Sequence, residues 1–148
     1  MTGTAPGLDK LYTPGLLALA VELARYPFDP LLPLQGEALS RTCGSKVRVG
    51  LELDSEGNIC TAGMQVASCA VGQASAAIFA SRAKGLGNAG LERDYHHLKQ
   101  WLGGNAPPPD WAGFPHLVPA REYPARHGAI LLPWRAARDA LCNLPSHG

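Results

Sequence analysis

The sequence predicts a single α+β domain in which helices cover a three-stranded antiparallel sheet. Three observations support this fold class. Residues 46–54 alternate strictly between apolar and polar side chains, a second alternating run follows a turn-forming segment, and segments with helical periodicity lie on both sides of this pair. The chain has 148 residues, which is the usual size of one domain. We therefore expect one domain over residues 1–148.

The first helix is predicted to begin at Thr13 and Pro14. Threonine is a good N-cap residue and proline is favoured at the first helical position. The apolar stretch over residues 16–23 continues the helix towards Tyr26. Three prolines between positions 27 and 33 then predict an extended connector, since proline lacks the backbone N–H that regular structure needs.

The strands are predicted from residues that alternate between the two faces of a sheet. Residues 54–58 have turn-forming composition, so the runs on either side should pair as an antiparallel hairpin. Residues 35–42 are expected to add an edge strand. A sheet with one apolar face needs a covering layer, which the helices would supply. The side chains expected to face that layer are Val47, Val49, Leu51 and Leu53 in the first strand of the hairpin, and Ala62, Met64 and Val66 in the second.

Helices are predicted on the C-terminal side of the hairpin. Residues 70–83 are rich in alanine and end at Lys84 and Gly85, a typical helix stop. A second helix is indicated by apolar residues spaced four, three and four apart, and a proline-rich loop is expected over residues 103–124. The last helix is expected to start at Pro133. The spaced residues of the second helix are Leu91, Tyr95, Leu98 and Leu102, and the last helix should include Trp134, Ala137 and Leu141.

Composition and motif content exclude several classes of function. Lysine and arginine number 13 against 12 aspartates and glutamates, so no charge excess favours a nucleic acid or an anionic membrane as partner. The longest apolar run, residues 16–21, is too short for a membrane span, and no signal peptide is recognised, so a cytoplasmic protein is expected. The sequence has no G-x-S-x-G, H-E-x-x-H or C-x-x-C motif, and we expect no enzyme activity.

A G-x-G-x-x-G match at residues 85–90 has two interpretations. It would bind a dinucleotide if it followed a strand directly, because phosphate must meet a helix N-terminus. It follows the alanine-rich helix instead, which favours a glycine-rich link between two helices.

The cysteines are the residues that best suit binding chemistry. Cys43 precedes the strongest strand and Cys69 follows its hairpin partner, so the two thiols should lie at the same end of the sheet. A thiol at a helix N-terminus is also favoured as thiolate. Two thiols placed together would suit a soft metal or the handling of sulfur. The alternative, that both are small buried hydrophobic residues, stays open, and we expect that role for Cys60 and Cys142.

Four segments carry a resemblance to a known family. They are L-Y at 11–12, C-G at 43–44, S-C-A-V-G-Q-A-S-A at 68–76, and Y-P-A-R-H-G-A at 123–129 followed by L-P-W at 132–134. The third is similar to G-C-A-I-S-Q-A-S-A and the fourth to P-A-R-x-K-C followed by L-P-W. These segments resemble the U-type iron-sulfur cluster assembly scaffolds, the IscU, SufU and NifU N-terminal group. The long insert between positions 85 and 123 is similar to the SufU-like branch.

The resemblance implies a small fold that holds zinc or a nascent iron-sulfur cluster at one end and receives sulfur from a cysteine desulfurase. The ligands of the family would be three cysteines and the aspartate of a Cys-Gly-Asp motif. Cys43 and Cys69 stand at the first and second cysteine positions, whereas Ser45 stands at the aspartate position and Ala129 at the third cysteine position. His127 lies one residue from the position where some members have histidine.

The resemblance therefore implies a scaffold-like protein of iron-sulfur cluster assembly with a reduced site. We expect it to bind metal, iron or zinc, or sulfur at Cys43 and Cys69, with His127 as a third ligand, and to hold a cluster or zinc weakly or transiently. Its partners would be a cysteine desulfurase and other assembly proteins. The alternative is a degenerate scaffold that binds no metal and acts as an interaction protein for the desulfurase or the assembly machinery.

Overall fold

The α+β fold class is confirmed. A computed structural model of the protein describes residues 11–41 and 44–143. In these residues the chain forms helices, three strands and several short 3-10 turns. The elements in chain order are α1 (Pro14–Glu22), a 3-10 turn (Leu23–Arg25), β1 (Leu34–Leu39), β2 (Lys46–Leu53), β3 (Ile59–Ala67), α2 (Ala70–Ala83), α3 (Asn88–Leu102), 3-10 turns at Phe114–His116, Val118–Glu122 and Pro124–Arg126, and α4 (His127–Cys142).

The three strands form one antiparallel sheet in the order β1-β2-β3. The predicted inward row is confirmed for Val47, Val49 and Leu51, which are fully buried. Leu53 is only half-buried, because the β2–β3 register shifts between Glu52 and Leu53. An irregularity of this kind turns the following side chain away from the face set by strict alternation.

One face of the sheet carries the helices. Helix α4 packs on β1 and β2, and α2 packs on β3 and against α4. Helix α1 lies against α2, and α3 lies against α4. The predicted bounds of α2, residues 70–83, are confirmed. In the described part of the chain, no helix is long and apolar enough to cross a membrane.

The connector between α1 and β1 crosses the opposite face of the sheet. Gly50 of β2 pairs with Gly63 of β3, and a Cβ atom at Gly63 would collide with the carbonyl oxygen of Pro27. The Met64 N–H donates to the carbonyl of Tyr26 over 2.8 Å. Glycine is thus required in the middle of this sheet because another backbone segment approaches it closely.

The outer edge of β1 is covered by side chains of α4. Two polar residues of α4 and the residue that caps its C-terminus, each one turn apart, reach the strand backbone, and they bond every second residue of β1. The Glu37 N–H donates to Asp139 Oδ2 over 3.0 Å, Arg135 Nη1 donates to the Leu39 carbonyl over 3.3 Å, and Asn143 Nδ2 donates to the Gln35 carbonyl over 3.0 Å.

The predicted start of the last helix at Pro133 is wrong. Helix α4 begins six residues earlier, at His127, and Pro133 lies inside it. Proline inside a helix removes one backbone donor and disturbs the preceding turn. Ser75 of α2 donates its hydroxyl to the carbonyl of Ile130 over 2.7 Å, so a neighbouring helix supplies a donor in the disturbed turn. Tertiary contacts thus stabilise a helix that local sequence rules would end.

The segment predicted as loop over residues 103–124 contains regular turns after Gly113. Proline occupies an early position in each of the 3-10 turns from residue 114 onwards, and its fixed φ angle suits the start of a helical turn. Aromatic side chains of residues 103–124 pack against aromatic side chains of the helices. We call them the aromatic cluster, and its members are Phe79, Trp101, Trp111, Phe114 and Trp134.

Candidate functional site

The candidate site lies at the start of α2, directly after β3. Cys69 is the N-cap residue of α2, and its carbonyl accepts the Gln73 N–H over 3.0 Å. Its side chain makes no capping hydrogen bond and is half-buried. The thiol is therefore held at a fixed point of the backbone while its sulfur is left for other interactions.

Ser45 lies beside this helix start because of the sheet register. Lys46 pairs with Ala67, so the residue before β2 meets the residue after β3. Ser45 is 4% exposed, and its Oγ lies 2.9 Å from Oγ of Ser68. The Ser68 hydroxyl in turn lies 4.0 Å from Sγ of Cys69. The hydroxyls of Ser45 and Ser68 thus form a chain of contacts that ends at the Cys69 sulfur.

Ala129 of α4 meets the first turn of α2 from the other side. It is fully buried. A Cβ atom built on Gly72 would lie 3.4 Å from the Ala129 Cβ and would collide with Oγ of Ser68. The structure therefore brings Ser45 and Ala129, for which the resemblance implies replaced ligands, to the same turn of α2.

The His127 ring is oriented by the insert. It is the first residue of α4, two residues before Ala129, and side chains two apart on a helix do not face the same way. His127 Nε2 lies 2.7 Å from the carbonyl oxygen of Arg121. A carbonyl only accepts, so Nε2 carries a proton and Nδ1 is the ring nitrogen that does not face this carbonyl. Arg121 is itself held by a bond from Nε to the Trp101 carbonyl, 2.9 Å long.

Cys43 lies outside the described residues. The described residues on either side of it close the β1–β2 connection, because the Ser40 N–H donates to the Ser45 carbonyl over 2.9 Å and the Gly44 N–H donates to the Ser40 carbonyl over 2.8 Å. Ser40 lies against Gly128, since a Cβ there would contact the Ser40 side chain. Both ends of this connection therefore adjoin residues of the candidate site.

The described residues do not fit a complete metal site. Within residues 11–41 and 44–143, no three histidine, cysteine, aspartate or glutamate side chains are grouped so that they could hold a metal ion. Structural zinc needs four protein ligands, and a cluster needs a ligand for each exposed iron. Ser45 contributes a neutral hydroxyl and Ala129 a methyl group, so neither supplies the charge or the bond that the family ligand would.

The other two cysteines lie away from this turn, and the prediction that they are buried is wrong. Cys60 of β3 is half-buried and donates to the Glu52 carbonyl over 3.4 Å. Cys142 is exposed at the end of α4. Sequence reasoning also missed the contact between Ser68 and Gly72. The sequence does contain a sign of this contact. Serine stands at position 68 and glycine at position 72, whereas the similar family segment has glycine first and serine four residues later.

Solved structures share this fold. The N-terminal part of a nitrogen-fixing NifU-like protein from Brucella abortus superposes with a TM-score of 0.82 at 28% identity, covering 92% of this chain and 95% of the other. A protein from the thermophile Fervidobacterium islandicum, described as an iron-sulfur cluster assembly scaffold for the SUF system, superposes with a TM-score of 0.77 at 18% identity, covering 90% of this chain and 98% of the other. No family model matches the sequence, and no curated protein does.

The structural likeness and the sequence motifs agree with each other. The superposition with the NifU-like protein extends over nearly the whole of both chains. In sequence, the segments around Cys69 and Ala129 resemble the motifs of the U-type scaffolds. The predicted resemblance is thus confirmed: in fold and over nearly its whole length, the chain is similar to NifU N-terminal and SufU scaffold proteins of the U-type group.

Proposed function

We propose that this protein works in iron-sulfur cluster assembly as a non-enzymatic, SufU-like scaffold protein whose thiols accept sulfur from a cysteine desulfurase. The observation that carries the proposal is the position of Cys69 at the start of α2, beside two positions, Ser45 and Ala129, that lack the ligands of the family. Cys43 is the second thiol of the proposed site. The protein would act in the cytoplasm, without a nucleic acid or a membrane as partner.

Sulfur transfer needs none of the replaced ligands. The thiolate of Cys69 attacks the outer sulfur of a persulfide on the desulfurase, and a new S–S bond forms as the S–S bond of the donor breaks. The inner sulfur of the donor leaves as a thiolate, so one thiolate is consumed and one is released. No electron is gained or lost overall. An accessible thiolate at Cys69 is sufficient for this step.

Metal binding in this proposal is weak. Its donors are the sulfurs of Cys43 and Cys69 and the Nδ1 atom of His127, and the cargo is iron, zinc or a nascent cluster. Metal-binding histidines commonly donate their other ring N–H to a backbone carbonyl, as His127 does to Arg121. With Ser45 in place of an anionic ligand, we expect metal to be lost to a mild chelator.

Sulfur acceptance is tested with a cysteine desulfurase and isotopically labelled cysteine. Mass spectrometry of the trapped persulfides should find label on Cys69, and Cys69→Ser should abolish it there. Cys43→Ser tests the second thiol, and Cys142→Ser is the matched control because that cysteine lies at the far end of α4. Label on Cys142 alone, or on no cysteine, would overturn the proposal.

Metal binding is tested by titrating zinc against a competing indicator. The wild-type chain should bind weakly, and Ser45→Asp combined with Ala129→Cys should raise the affinity by orders of magnitude if the surrounding geometry accepts the ligands. Tight stoichiometric binding by the wild type would contradict the reduced site and indicate an ordinary scaffold. No gain in the double variant would mean that the metal pocket itself has been lost.

The second candidate function is a metal-free interaction protein for the desulfurase or the assembly machinery. It is favoured by the outer face of α1, where Leu17 and Val21 are exposed beside Met64 and Ala70, the residue after Cys69. Exposed apolar surface of this kind often marks a protein interface. In this case the desulfurase should bind the wild type and Cys69→Ser equally well, with no sulfur label on the chain, and Val21→Asp should abolish binding.

A further inference from the structure

Four residues at which this chain departs from the family motifs are neighbours in the fold. Ser45 stands for the aspartate and Ala129 for the third cysteine. In the segment similar to G-C-A-I-S, Ser68 stands where the family has glycine and Gly72 where it has serine. All four lie at the first turn of α2.

The exchange between positions 68 and 72 is one structural change. A Cβ atom at Gly72 would collide with Oγ of Ser68 and would lie 2.7 Å from its Cβ. Real Cβ atoms do not approach so closely, so serine does not fit at both positions in this conformation. The hydroxyl of the family segment has in effect moved from one side of Cys69 to the other.

The new position of the hydroxyl gives it two partners. The Ser68 Oγ lies 2.9 Å from Ser45 Oγ and 4.0 Å from Cys69 Sγ. When the Ser68 proton points to the sulfur, the proton of the buried Ser45 hydroxyl satisfies the Ser68 oxygen. Hydroxyl donors stabilise negative charge on sulfur. An aspartate at position 45 would instead add a second negative charge, which a cation must balance.

Resting on the sulfur-accepting function above, we propose that Ser45, Ser68, Gly72 and Ala129 form a coupled set that converts a cation site into a metal-independent thiol site. The Ser68 hydroxyl bonds the sulfur of Cys69 before and after sulfur transfer. Ser45 is a positioning residue that acts through Ser68. Gly72 leaves room for the Ser68 hydroxyl, and Ala129 closes the pocket with an apolar side chain in place of a ligand.

The hydroxyl pair is tested through the reactivity of Cys69 towards iodoacetamide in metal-free buffer, followed peptide by peptide. Ser68→Ala and Ser45→Ala should each slow alkylation of Cys69 by about three- to tenfold at neutral pH. Ser68→Thr, which keeps the hydroxyl, should restore most of the rate. Cys60 and Cys142 in the same chain are the internal controls, and their rates should not change. Wild-type rates at Cys69 in both alanine variants would overturn the proposal.

The coupling of positions 68 and 72 is tested by a double-mutant cycle on the melting temperature. Gly72→Ser alone overpacks the turn and should lower Tm by about 3 to 8 °C. Adding Ser68→Gly should recover most of that loss, because it removes the atom that collides. Losses that simply add would overturn the coupling.

Failure of this inference is distinguishable from failure of the proposed function by a second probe, glutathione persulfide. If Cys69 of the wild type gains sulfur from it but alkylation is insensitive to Ser68→Ala, the coupled set is wrong and sulfur acceptance stands. If alkylation depends on Ser68 but Cys69 gains sulfur neither from this probe nor from the desulfurase, the thiol site stands and sulfur acceptance is wrong.

Discussion

The two ends of helix α2 are built in opposite ways. At its N-terminus, Ser68, Gly72 and the facing Ala129 are small, and the contacts are hydroxyl bonds and a close glycine. At its C-terminus, Phe79 and Arg82 are large and meet the aromatic cluster. The helix is about 21 Å long, so the two ends are separate environments on one rigid element.

The C-terminal end contains the densest packing of large side chains. Phe79 meets Trp134 edge-on at a centroid distance of 5.2 Å, and the Arg82 guanidinium lies 4.4 Å from the centre of the Trp111 ring. Arg82 also bonds buried Asp94 through two nitrogens, at 2.6 and 2.9 Å. Stability concentrated here leaves the N-terminal end free to change its chemistry without loss of the fold.

The largest expected effect comes from Trp134→Ala. This fully buried ring contacts Phe79 and Trp111, so its removal should lower the free energy of unfolding by about 3 to 5 kcal/mol in urea denaturation. Trp134→Phe is the control and should cost much less, because it also removes a buried Nε1 donor that has no partner among the described residues. Equal losses in both variants would show that the indole N–H contributes to stability.

The next effect is expected from Asp94→Asn, which removes the charge under Arg82. The loss should be about 1.5 to 3 kcal/mol, since the Asp94 side chain is 8% exposed and its bonds to Arg82 are charge-assisted. A cycle with Arg82→Gln should show strong coupling between the two positions. If the losses of unfolding free energy in the two single variants simply add in the double variant, Arg82 stabilises the fold through its contact with Trp111 and not through Asp94.

Ser45→Ala is expected to affect stability less than either change at the opposite end. Removing this buried hydroxyl should cost about 0.5 to 1.5 kcal/mol, because half-buried Ser68 can turn its freed group to water. The same urea titration measures it. A loss as large as that of Trp134→Ala would contradict the division between a stabilising end and a chemical end.

The smallest effect is expected from Glu92→Gln. Arg138 Nε donates to Glu92 over 2.6 Å, and this hydrogen bond raises the pKa of Arg138. Both side chains are more than a third exposed, so the loss should be about 0.2 to 1 kcal/mol. When the pKa of an arginine is higher in the folded than in the unfolded chain, the resulting stabilisation is fully present at pH values below the unfolded pKa. It is lost only as the pH rises through the folded pKa. The difference from wild type should therefore not change between neutral pH and about pH 10.

Much of the fold could be predicted because its signals are local. The alternation over residues 46–54 and the turn after it determine the hairpin, and the alanine-rich run determines α2. The start of α4 could not be predicted, because proline is favoured at the first helical position, whereas Pro133 lies inside a helix that packs against α2. The half-buried position of Leu53 depends on a register shift that composition does not encode.

The sequence predicts where the candidate site lies but not how its residues contact one another. The motifs point to the turn that begins at Cys69, and the resemblance implies that Ser45 and Ala129 replace ligands of the family. Neither spacing nor propensity shows that Ser45 contacts Ser68, since 23 residues separate them in sequence. The sequence also does not explain why serine at position 68 occurs with glycine at position 72. The structure does, because a Cβ atom at position 72 would collide with the Ser68 side chain.

The row of α4 side chains along β1 limits how this protein can associate. An exposed strand edge is a template on which a second chain can add its own strand. On β1 the Glu37 N–H and the Gln35 and Leu39 carbonyls already have partners from α4. A client or a second copy therefore cannot extend the sheet at this edge without first displacing these side chains. At the β1 edge, recognition of another protein must rely on side chains, and edge-to-edge aggregation is disfavoured.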